Sequence, residues 1–191
     1  MTYEIECFNG TRKRTHAGDV FWYKVKGHDM YFYGKLIVKD VDDTDNFFIN
    51  KSDLIYLYKV CTNKPCMDIV LNPEDVFTVI NSEHRGWYHG MFHTIRNEMV
   101  IEEEIKLDYG YLFLDETKFP SKADVGEFIN TCLIEKSAIN ERFIATPFCD
   151  CYGNRIDHVP KINAGVWTFK PYDYCDNILN RLMASGEVIM L

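Results

Sequence analysis

Two runs rich in aromatic and β-branched residues flank a polar break at Lys26-Gly27-His28-Asp29, so residues 17–38 read as a β-hairpin whose side chains point to alternate faces with a period of two. On the first arm Val20, Trp22 and Lys24 share one face, and Phe21, Tyr23 and Val25 share the other. On the second arm Tyr31, Tyr33 and Lys35 alternate with Phe32, Gly34 and Leu36. Large apolar groups on both faces predict a hairpin covered from both sides.

The same period continues through most of the first hundred residues. A short edge strand is expected around Tyr3, Ile5 and Cys7, and a third strand or broken pair over 46–60, with Leu54, Tyr56 and Tyr58 opposite Ile55 and Leu57. Further strands are expected at 67–71 and 74–80, each bounded by a turn. Strand-like runs follow at 99–106 (MVIEEEIK), 109–114 and 141–148, and an aromatic strand lies within 155–170. The period changes to 3.6 in two places. Pro120 and Ser121 open a helix with Val125, Phe128, Ile129, Cys132 and Leu133 on its apolar stripe. Pro171 and Asp173 open a second, with Ile178, Leu179, Leu182 and Met183 inward and Gly186 as its stop. The last residues, 187–191, predict a final strand. The class is therefore α+β. A strongly bent antiparallel sheet or small β-barrel fills the N-terminal half, and two helices lie in the C-terminal half. One compact domain over 1–191 is expected, with a candidate seam near 98 between a β-rich part (1–98) and an α+β part (99–191).

Composition sharpens this only slightly. With 47% hydrophobic and 26% charged residues the chain is an ordinary globular one, and its 15% aromatic content suits sheets and broad contact surfaces. No apolar run is long enough to span a bilayer, and the first sixteen residues lack an apolar signal core. The seven cysteines, odd in number and irregularly spaced, are expected to be reduced thiols in a cytoplasmic protein. Charge adds more. The net charge is −8, and residues 98–141 alone hold eleven acids against four lysines. A surface of that sign steers basic partners inward and repels nucleic acid, so no nucleic-acid or membrane partner is expected. The basic run Thr11-Arg12-Lys13-Arg14-Thr15-His16 reads as a loop.

Candidate chemistry is sparse. Asp40–Asn46 is acidic but lacks the glycine and final bidentate acid of a calcium loop, and reads as an exposed turn. His84, His89 and His93 have spacings that invite zinc, yet Gly86 and Gly90 argue against the helix such a site uses; a strand with His89, Met91 and His93 on one face is expected instead. Cys149-Asp150-Cys151 lacks a second ligand pair. No catalytic residue, metal site or cofactor is assigned.

Gly18-Asp19-Val20-Phe21, followed by Tyr33-Gly34-Lys35-Leu36 on the second hairpin arm and later by Arg85-Gly86-Trp87, resembles the immunity 26 family over residues 13 to 100. The chain departs from the family pattern where Val25 and Lys26 replace a proline. The resemblance implies a bacterial protein that binds a cognate protein toxin of a polymorphic toxin system and neutralises it by occlusion. In that role Glu102, Glu103 and Glu104 are the charges expected to meet a basic toxin cleft. Some relatives of the family bear a likeness to a phosphotriesterase. This implies a second reading, a metal-assisted phosphoester hydrolase with His84, His89, His93 and Asp108 as candidate ligands. A β-barrel adaptor for a peptide or protein is the third.

Overall fold

The computed structural model describes residues 2–42, 50–82, 84–112, 148–166 and 174–191. The expected helix at 121–133, the tip of the acidic turn after Asp42, the segment 141–147, the aromatic run 167–169 and the cap at 171–173 lie outside them.

The hairpin forms as its pattern requires. β1 (Asp19–Lys24) and β2 (Tyr31–Val38) are antiparallel, with Val20 opposite Lys35 and Trp22 opposite Tyr33. β3 (Asp53–Thr62) extends the sheet beyond β2, and β4 (Val76–Ser82), entered through a short 3-10 turn at Pro73–Asp75, pairs antiparallel with β3. β5 (His93–Asn97) pairs with β1 at the opposite edge. The N-terminal segment takes over that edge of the hairpin where β5 ends. Ile5 bridges Val25, and backbone bonds join Glu6 to Lys24 and Lys26 to Glu4. β10 (Ile189–Met190) joins β3 in parallel at Val60 and Cys61, completing six strands. This sheet is open, with β4 and β10 on one side and β5 on the other, so a barrel is excluded. Register shifts in β1, β2 and β3 mark bulges, which bend strands and increase their twist.

Both faces of the sheet are covered. Val20, Tyr33, Ile37, Leu54, Tyr56 and Tyr58 pack with Tyr111, Cys149 and Ala164 of a second, four-stranded sheet and with Cys151 in one of its turns. That sheet has the order β8-β7-β6-β9, from β6 (Tyr109–Leu112), β7 (Phe148–Cys149), β8 (Arg155–Ile156) and β9 (Ile162–Val166). On the other face Phe21, Tyr23, Phe32, Leu36, Ile55 and Leu57 pack with Trp87, Phe92, Ile178, Leu179 and Leu182. The last three belong to the helix Tyr174–Ser185, whose stripe is the expected one and which ends at Gly186 with φ +69°. The alternation read from the hairpin thus sorts its residues between two cores. Cys149 and Cys151 are buried free thiols, and burial pushes the Cys149 pKa up to about 12.

Four expected strands differ. The edge strand expected around Tyr3, Ile5 and Cys7 is reduced to the single bridge at Ile5. Residues 67–71 form no strand; the carbonyls of Met67 and Ile69 are taken instead by the Arg96 guanidinium. Residues 84–92 contain a one-turn helix, α1 (Arg85–Tyr88), despite Gly86. The Phe92 ring explains that glycine, because a Cβ there would lie 2.3 Å from it, and Gly90 at φ +72° reverses the chain. The run 99–106 turns into a short helix, α2 (Glu102–Ile105), and the later helix is therefore α3 (Tyr174–Ser185). Among the described residues no helix is long and apolar enough to cross a membrane.

Leu179 is wholly buried between α3 and the sheet. Leu179→Ala is expected to cost about 3 kcal/mol, read as a lower urea midpoint with unchanged slope.

Candidate functional site

β2 is an interior strand, flanked by β1 and β3, and its residue Lys35 is 2% exposed. An ammonium that deep demands a carboxylate with its remaining donors satisfied. Glu104, also 2% exposed, places both carboxylate oxygens 2.8 Å from Lys35 Nζ. The ammonium also donates to the Met99 carbonyl at 3.1 Å and reaches Glu98 at 3.1 Å. Tyr56 Oη donates to the Glu104 carbonyl at 2.7 Å, and Tyr58 Oη to its carboxylate at 3.4 Å. Glu98 is in turn held by Arg96 at 2.9 Å. Burial works against the Glu98 carboxylate, but hydrogen bonds from Arg96 and Lys35 outweigh it and keep its pKa below the ordinary range.

This network decides the local fold. Glu104 reaches back to accept the Ile101 N–H at 2.9 Å, the return arm of a capping box, so a single carboxylate both neutralises Lys35 and starts α2. A strand over 99–106 would give Glu104 no such pair of tasks. The helix that results turns Glu102 and Glu103 to solvent, with Glu102 paired to Lys106 one turn on. Met99, Ile101 and Ile105 are exposed beside them. The trio read as a surface charge cluster is therefore divided: Glu102 and Glu103 face outward, while Glu104 is internal and its carboxylate is already engaged. Lys35 was legible as a lysine among apolar positions of a doubly covered strand. Its acidic partner, 69 residues on, was not.

The histidines do not converge. His84 shares a hydrogen bond with Thr15 at 3.2 Å and stacks on Trp87. His89 ends α1 and is exposed. His93 stacks on Trp22, with centroids 4.1 Å apart, and bonds to the Gly90 carbonyl; burial lowers its pKa. Asp108, the fourth candidate ligand, is bonded to His158 at 2.8 Å and to the Lys161 N–H at 3.2 Å. Among the described residues no three His, Cys, Asp or Glu side chains are grouped as metal ligands. The strand face expected for His89, Met91 and His93 is replaced by the α1 turn.

No protein family, curated protein or solved structure matches this chain.

Two outcomes are expected. Lys35→Met leaves the buried Glu104 carboxylate without its cation and costs about 3–5 kcal/mol, whereas Glu104→Gln, which leaves Lys35 the Glu98 carboxylate, costs less. The double variant Lys35→Met with Glu104→Leu, which removes both charges together, recovers most of that loss in urea denaturation. The other outcome concerns the Asp108–His158 pair. Hydrogen bonding to Asp108 raises the His158 pKa, and Asp108, despite some burial, is held below its ordinary value. The stabilisation due to His158 is therefore present at acid pH and lost as pH rises through its raised pKa. An NMR titration is expected to place His158 above an ordinary histidine, and Asp108→Asn to bring it back down.

Proposed function

We propose that the chain is an immunity-type binding protein that neutralises a cognate bacterial toxin by covering its active cleft. The observation that carries this reading is the face around α2. There Glu102 and Glu103 stand among exposed Met99, Ile101 and Ile105, on a helix held from beneath by the Lys35–Glu104 pair. Apolar anchors beside acids on a fixed support suit occlusion of a basic cleft: the acids steer and the apolar side chains hold. Occlusion needs a preorganised surface rather than a catalytic constellation. The resemblance of residues 13 to 100 to the immunity 26 family supports the same reading. The hydrolase alternative gains nothing from histidines engaged at separate places, and the adaptor reading would use the same face for another partner.

The test is co-expression of the tagged protein with the toxin domain encoded beside it. A one-to-one complex that abolishes lethality is expected. Glu102→Lys with Glu103→Lys should weaken it at least tenfold, mainly through slower association, and Ile105→Asp should weaken it through faster release. No complex with the neighbouring toxin would refute the proposal.

A further inference from the structure

The basic run Thr11–His16 is not isolated in the fold. Its loop lies directly on α1: the Thr11 N–H donates to the Trp87 carbonyl at 3.0 Å, and Thr15 bonds His84 across 69 residues of sequence. Gly10 makes this approach possible, since a Cβ there would sit 1.7 Å from the Tyr88 carbonyl oxygen. The result joins Arg12, Lys13, Arg14 and His16 from one segment to Arg85, Tyr88 and His89 from another, and all seven are exposed. Arg12 lies 5.8 Å from the centre of the Tyr88 ring, which is 51% exposed. Asp19, the acid that follows the loop, does not oppose this charge at the surface. It is buried and accepts from the His16 N–H and from Asn97. In a chain of net charge −8, the exposed Arg12, Lys13 and Arg14 on a loop seated against the α1 turn are a concentrated exception.

We propose that this patch binds the backbone of single-stranded nucleic acid. Arginine and lysine around an exposed aromatic ring is the chemistry that tracks phosphates and stacks a base. A duplex would hold its bases away from Tyr88, and an anionic lipid surface would use the cations alone. Trp87 beneath the patch packs in the core on the α3 side of the large sheet, whereas Glu104 and its tyrosines belong to the opposite face. The site is thus separate from the acidic face, and the two can be occupied together. Its success or failure is independent of toxin binding.

The test is fluorescence anisotropy of the full chain with a labelled oligouridylate of about 20 nucleotides, at salt from about 50 to 300 mM. Three phosphate contacts, from Arg12, Lys13 and Arg14, predict a log–log salt slope of about −2. Lys13→Gln with Arg14→Gln, both at exposed positions, is expected to reduce that slope by about two-thirds and to weaken binding about tenfold at low salt. Tyr88→Ala is expected to weaken binding about tenfold with the slope unchanged. Binding absent at the lowest salt, or indifferent to Lys13→Gln with Arg14→Gln, overturns the proposal. So does equal affinity for phosphatidylserine vesicles with no effect of Tyr88→Ala, which would assign the patch to lipid.

Discussion

A lysine in the middle of a doubly covered sheet governs the architecture on one side of this protein. Lys35 lies on an interior strand, with neighbours on both sides, and is almost wholly buried. Leaving it unpaired there would cost several kcal/mol, so the chain must return a carboxylate to it. Residues 98–104 do so twice, through Glu98 at the rim and Glu104 inside. The return fixes where α2 begins, which glutamates point outward, and which apolar side chains stay exposed beside them. Stability and surface design are thus the same interaction seen from two sides.

The large sheet separates two surfaces of opposite character. Its β6–β9 side carries the buried ionic network and, above it, the acidic and apolar α2 face. Its α3 side carries Phe21, Trp87 and Phe92, whose rings meet at centroid distances between 4.4 and 5.2 Å and support the α1 turn beneath the basic loop. Each surface includes a run visible in the sequence, Glu102–Glu104 in one and Thr11–His16 in the other, but not the distant segment that supports it. Each arises where two distant segments are brought onto one support, Lys35 with Glu104 in the first and Thr11–His16 with Arg85–Tyr88 in the second.

What was legible in the sequence follows from strict periods. The hairpin's alternation set Phe21 and Tyr23 opposite Val20 on one arm, and Phe32 and Leu36 opposite Tyr33 on the other; the register then places the first four in one core and Val20 and Tyr33 in the other. The stripe Ile178, Leu179 and Leu182 was equally clear at helical spacing. The misreadings are short elements decided by tertiary contacts. MVIEEEIK resembles a strand until Glu104 has a buried ammonium to meet. Gly86 looks like a helix breaker until Phe92 occupies the space its side chain would fill. Likewise Glu102, Glu103 and Glu104 read as one surface cluster, since nothing local distinguishes the one that turns inward.

The claim that the Lys35–Glu104 pair holds α2 in place is tested most directly by amide hydrogen exchange in Lys35→Met. The account predicts faster exchange at Ile101 and at Glu104–Lys106, whose N–H groups close the α2 turn, with the β1 and β2 amides still slow. Unchanged protection at Ile101 and through α2 in that variant would contradict it, and would mean that the helix and its acidic face stand without the buried pair.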